Sequence, residues 1–151
     1  MKVHWLVLLI VLGAAVFAPA VSAKIIEEKD GYVVSTADDE PVIGAMSRSV
    51  SSTMSIVQGE MHYYAQYVPP GTVAFSPVLS WGNPASSLSL SLSGPGLELG
   101  PYYDSSDGIT DGRIGLRISR PGGLAAGTWT SGIYGNSVTG SQSYTYRAGL
   151  S

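Results

Sequence analysis

The chain has 151 residues, a formal net charge of −3, 13% charged residues, 19 glycines, nine prolines and no cysteine. Without cysteine it offers no disulfide framework, thiolate zinc site or thiol nucleophile, and its acidic balance excludes nucleic-acid binding through a basic surface. Abundant glycine and proline with few Glu and Lys point to a turn-rich all-β domain.

In chain order, Lys2 is followed by an uncharged apolar stretch of 13 residues, Trp5 to Phe17. That is shorter than the roughly 20 residues a helix needs to span a bilayer. Pro19 breaks it, and Val21-Ser22-Ala23 places small residues at a cleavage site. Residues 1–23 therefore read as a secretory signal peptide, which predicts a secreted, extracellular or cell-envelope location with no membrane span after cleavage. The mature chain would start at Lys24 and hold 128 residues, with seven Lys/Arg against eleven Asp/Glu for a net charge of −4. This length supports one core rather than two.

Residues 24–40 carry two Lys and six acids, whereas five Arg balance five acids from Pro41 onward. An acidic leader of poor periodicity predicts a flexible N-terminal arm over residues 24–45, acting as a tether or a solubilising tail. A strand at Tyr32–Ser35 is expected within it. Residues 46–151 then form the globular domain.

That domain alternates with period two, the pattern of half-buried strands. Leu88, Leu90 and Leu92 interleave with Ser87, Ser89, Ser91 and Ser93, so one face is apolar and the other rich in hydroxyls. Ile114, Leu116 and Ile118 behave likewise, as do Trp129, Ser131 and Ile133, and later Tyr144 and Tyr146. Turn signals such as Gln58-Gly59, Pro69-Pro70-Gly71, Gly94-Pro95-Gly96, Asp107-Gly108 and Pro121-Gly122-Gly123 separate the runs. The spacing predicts strands near 49–57, 60–68, 73–81, 87–93, 97–103, 113–118, 128–134 and 142–148. The expected fold is an antiparallel, jelly-roll-like β-sandwich of about eight strands.

The order of landmarks from Ile56 to Ala148 resembles the bacterial pre-peptidase C-terminal domain. The resemblance is carried by Val57-Gln58-Gly59-Glu60, the Tyr-rich strand ending Tyr67-Val68-Pro69-Pro70-Gly71-Thr72, Leu79-Ser80-Trp81, and Ser87–Leu92. Its most telling block is Gly127-Thr128-Trp129-Thr130-Ser131-Gly132-Ile133-Tyr134-Gly135, with Ser143-Tyr144-Thr145-Tyr146 as the closing strand. The resemblance implies a β-sandwich accessory module, non-catalytic and associated with extracellular proteolysis or with surface and substrate binding. One stretch departs from the family: Ser86, Ser87, Ser89 and Ser91 stand where many members carry aspartates, so no role of those acids carries over.

Two local features are candidate sites. Asp104, Asp107 and Asp111 lie within eight residues on a glycine-containing loop, and such carboxylates suit Ca²⁺, which takes six to eight oxygens. The EF-hand template fails, because its glycine position holds Ile109 and its closing glutamate position holds Gly115. Asp-Gly pairs equally serve as turn formers, with the aspartates bonding nearby backbone N–H groups. The second feature is aromatic. Tyr64, Tyr102 and Tyr103 are candidates for an exposed surface that binds a sugar or a protein. Consecutive pairs such as Tyr63-Tyr64 and Tyr102-Tyr103 must turn to opposite sides of a strand, so one member of each belongs to the core.

Catalysis is poorly supported. His62 is the single histidine of the mature chain, no Gly-x-Ser-x-Gly elbow presents a serine, and nothing brings Glu60 and Glu98 together as a carboxylate pair. The expectation is a secreted, non-enzymatic module that binds an extracellular protein, peptide or polysaccharide, with no cofactor other than the candidate Ca²⁺. The competing expectation is a structural envelope or matrix subunit that self-associates through strand edges, with the acidic arm supplying an intermolecular strand.

Overall fold

The computed structural model describes residues 23–37 and 50–151. Each period-two run becomes a strand, and the turn residues separate them. The strands are β1 (Ile25–Lys29), β2 (Tyr32–Thr36), β3 (Val50–Val57), β4 (Met61–Val68), β5 (Ala74–Ser80), β6 (Ser87–Gly94), β7 (Leu97–Tyr103), β8 (Arg113–Ser119), β9 (Gly127–Ser137) and β10 (Ser141–Leu150). One 3-10 turn, Asp104–Asp107, follows β7. All eight expected strands are present, with ends shifted by no more than three residues.

The strands form two antiparallel sheets. The larger runs β1-β2-β8-β5-β10-β3 and the smaller β4-β9-β6-β7. Taken without the first hairpin, β3 to β10 fill two four-stranded sheets in the interleaved order of a jelly roll. The protein is an all-β antiparallel sandwich, as its spacing predicts.

The core lies between the sheets and takes alternate residues from each strand. Leu88, Leu90 and Leu92 point inward from the small sheet, while Phe75, Leu79, Leu116, Ile118, Tyr144 and Tyr146 do so from the large one. Trp129 on β9 is the central ring, packed against Tyr32 and Phe75 with centroids 5.9 and 5.8 Å away. Its indole N–H donates to the Ala125 carbonyl at 2.9 Å, so its one polar group is satisfied. Gly94 gives the ring its space: a Cβ there would lie 2.7 Å from the indole. A large aromatic in such a site is worth about 3–5 kcal/mol relative to alanine.

The expectation of a flexible arm is corrected in its described part. Residues 25–36 form the β1–β2 hairpin, and β2 pairs with β8 from Val33↔Ser119 to Thr36↔Leu116. Tyr32 and Val34 are buried. The signal lies at Asp30-Gly31, whose backbone takes positive φ at both residues, the geometry of a tight hairpin turn between apolar residues. Within the hairpin the acids Glu27, Glu28 and Asp30 are confined to β1 and the turn, which concealed an amphipathic unit whose second strand closes the core. The proposed intermolecular strand is thus used within the chain. The expected signal peptide up to Ser22, and the remainder of the arm from Asp38, lie outside the described residues.

Candidate functional site

The aspartate loop is held from within. Asp104 is buried at 7% exposure. Its carboxylate accepts the N–H groups of Asp111 and Arg113 on Oδ1, at 3.1 and 3.3 Å, and that of Gly112 on Oδ2 at 2.9 Å. Asp107 accepts the Ile109 N–H at 2.8 Å, an Asx turn. Gly112 has φ of +76°, and a Cβ there would come 2.9 Å from the backbone nitrogens of Gly82 and Asn83. Partial burial and the neighbouring Asp104 charge push the Asp111 carboxyl up from its ordinary range. Among the described residues no three His, Cys, Asp or Glu side chains are grouped to hold a metal ion. Asp104 turns its carboxylate onto three backbone N–H groups, as the turn-forming reading of this loop requires.

The candidate tyrosines separate in the structure. Tyr102 is buried, and its hydroxyl donates to Glu27 on β1. Burial, with that bond, raises its phenol well above the ordinary value. Tyr64 also turns inward, stacking on Tyr146 at 4.6 Å. Neither supplies the exposed surface expected of it, because the alternation of β4 and β7 gives these positions to the core. Tyr103 does point outward, at 43% exposure.

Tyr64 belongs to a polar chain between the sheets. Its hydroxyl shares a 2.6 Å hydrogen bond with the Tyr144 hydroxyl, which shares another of 2.6 Å with His62 Nδ1. His62 Nε2 lies 3.1 Å from Glu60. The Val57 N–H, then His62, hold the Glu60 carboxyl below its usual range. Burial and the Tyr64 bond raise Tyr144, and burial pushes Tyr146 up to about 12 despite its bond to Ser131. These groups seal the seam between β4 and β10, with His62 pinned on both ring nitrogens.

The surface left over is the outer face of the small sheet. Ser87, Ser89, Ser91 and Ser93 alternate with the core leucines and share the outer side of β6, where Ser87, Ser91 and Ser93 reach the surface while Ser89 is buried and donates to Asn136 Oδ1 at 3.5 Å. Their partners on β9 are Ser137, Tyr134, Gly132 and Thr130, and on β7 Ser89 lies opposite Tyr103 and Ser93 opposite Glu98. One step further, β4 sets Met61 opposite Tyr134, Tyr63 opposite Gly132 and Tyr67 opposite Thr128. Paired residues share a face, so these side chains form one surface. The Tyr63 ring lies over Gly132, 3.4 Å from where a Cβ would stand, and Tyr63 remains 69% exposed. Tyr67 and Tyr134 are exposed as well.

Two depressions lie along the serine row. One, of about 340 Å³, is lined by Met61, Tyr63, Ser91, Ser93, Glu98 and Pro101 among others. The second, of about 230 Å³, is lined by Ser86, Ser87, Tyr103, Asp104, Ser105, Thr110 and Pro84. No Lys or Arg lines either depression. The hydroxyl-rich face was legible in the Ser-Leu alternation, but Tyr63, Tyr67 and Tyr134 had no mark distinguishing them from the inward tyrosines.

Neither a family model nor a curated protein matches this chain. Among solved structures, it is similar to PliG from Aeromonas hydrophila, a periplasmic lysozyme inhibitor of g-type lysozyme, at 11% sequence identity and a TM-score of 0.44. That likeness covers 70% of this chain and 88% of the other. Among the described residues no helix is long and apolar enough to cross a membrane.

Proposed function

We propose that this protein is a secreted, non-catalytic binding module that takes an extended, neutral polysaccharide along the outer face of its four-stranded sheet. The observation that carries this reading is the set of surface serines on β6: Ser87 lines one depression, Ser91 and Ser93 line the other, and the outward rings of Tyr103 and Tyr63 stand beside them on the same face. From Ser87 to Ser93 the row spans about 20 Å at strand spacing. A sugar chain offers alternating apolar ring faces and hydroxyl edges. Tyrosine rings meet the first, and Ser, Thr and Glu98 side chains meet the second. A lining without Lys or Arg selects against anionic chains.

Mobility of the secreted chain in gels containing neutral polysaccharides tests the reading. Retardation is expected with at least one polymer, and Tyr63→Ala or Tyr103→Ala weakens it about tenfold, equivalent to ~1.4 kcal/mol. No retardation by any neutral polymer, or retardation that survives both substitutions, overturns it. Capture of a protein partner through the same tyrosines replaces the sugar with a protein ligand.

A further inference from the structure

The sandwich has four strand edges, and they are not equally protected. An edge strand presents unpaired N–H and C=O groups, which charge, proline or irregular pairing normally blunt. β1 carries Glu27, Glu28 and Lys29, and its register breaks between Ile25 and Glu27. β7 carries Glu98 and Pro101, and its pairing shifts between Leu90 and Leu92. β4 lacks proline and glycine and pairs with β9 without a break, but it carries His62, held by Glu60 at the start of the strand. By contrast β3, Val50-Ser51-Ser52-Thr53-Met54-Ser55-Ile56-Val57, has no charge, no proline and no glycine. Its pairing with β10, like that of β4 with β9, is unbroken over eight residues, Val50↔Ala148 to Val57↔Ser141.

Among the described residues no strand pairs with the outer edge of β3, and Met54 is left uncovered, whereas Ile56 further along the same face is buried. Met54 stands opposite Tyr144, so both occupy the inner face of their sheet, yet Tyr144 is 1% exposed and Met54 48%. β4 reaches β10 through His62 and Tyr64 and stacks on Tyr146. Around Met54 the last strand of the large sheet therefore overhangs the small one among the described residues.

We propose that β3 is a homodimer interface, pairing antiparallel with β3 of a second copy about a two-fold axis near Met54. An extended backbone is what satisfies an open ladder. The partner's identity follows from charge: two copies of an acidic chain approach most easily where neither carries charge, and β3 is uncharged throughout. Centring the axis on Met54 sets the two Met54 side chains opposite each other and Thr53 opposite Ser55 of the second copy, a hydroxyl pair of the kind that supports cross-strand pairing. The two six-stranded sheets then become one continuous sheet, and the interface is closed by its symmetry. An axis normal to that sheet leaves both four-stranded faces pointing the same way, so two serine rows meet one polysaccharide surface together. That last consequence rests on the polysaccharide reading; the dimer does not.

Sedimentation equilibrium of the secreted chain across micromolar to millimolar concentration tests the proposal. The expected mass rises toward twice the monomer value, and Thr53→Lys or Ser55→Lys returns it to the monomer. Both positions are exposed, and unchanged thermal unfolding at low concentration verifies that each variant is folded. Hydrogen exchange at the amides of residues 52–57 should slow with concentration in the wild type only. A monomer at every concentration, or a dimer that persists in both folded lysine variants, overturns the proposal.

Discussion

Tyr63 and Tyr64 are neighbours in β4, as are Tyr102 and Tyr103 in β7, yet the members of each pair serve different regions. The inward ones, with Tyr144 and Tyr146, lie between the sheets, stacked or hydrogen-bonded to Glu27, His62 and Ser131. The outward ones lie on the face of the small sheet beside serines and threonines. The alternation runs one residue further: after outward Tyr103, Asp104 turns in and spends its carboxylate on the loop backbone. The difference teaches that a side chain is available for a ligand here only where the fold has not already used it.

The largest expected effect concerns the inner set. Burial raises Tyr102, Tyr144 and Tyr146, the last to about 12. Folding thus favours their neutral phenols. That stabilisation is complete below the unfolded value of 10.0 and is lost as pH climbs toward the folded values. Each such group removes about 1.4 kcal/mol per pH unit, so denaturant midpoints should fall steeply above pH 10. A flat profile there would place these phenols in water.

Next in size is Asp104→Ala, which strands three N–H groups in a closed loop and is expected to cost about 3 kcal/mol, read as several degrees of Tm. Asp107→Ala, which loses one bond at a more open site, should cost about 1 kcal/mol. Equal losses would erase the distinction between the two aspartates. On the outer face, Tyr63→Ala should change stability by less than about 0.5 kcal/mol, while polysaccharide retardation drops. A larger loss of stability would make Tyr63 a structural ring. The smallest response is to Ca²⁺: millimolar calcium or EDTA should leave Tm unchanged if the Asp104 carboxylate serves only the three backbone N–H groups it faces. A calcium-dependent rise abolished by Asp107→Ala would restore the loop as an ion site.

Much of this was open to a reading of residues alone. Period-two alternation and turn chemistry located eight strands, since side chains of a strand must alternate whatever lies beyond it. They also placed Ser87, Ser89, Ser91 and Ser93 together on one side of β6. Counting charge over residues 24–40 was misleading, because a hairpin needs only one apolar face, and Asp30-Gly31 was the stronger signal. Tertiary structure decided which side of each strand met the other sheet. Tyr64 and Tyr63 are the same residue in equivalent backbone, and only the position of β10 makes one a core ring and leaves the other in water. Likewise, Met54 is exposed on the inner face of its sheet because β3 there lies beyond the reach of β4, a relation between distant segments that no local pattern encodes.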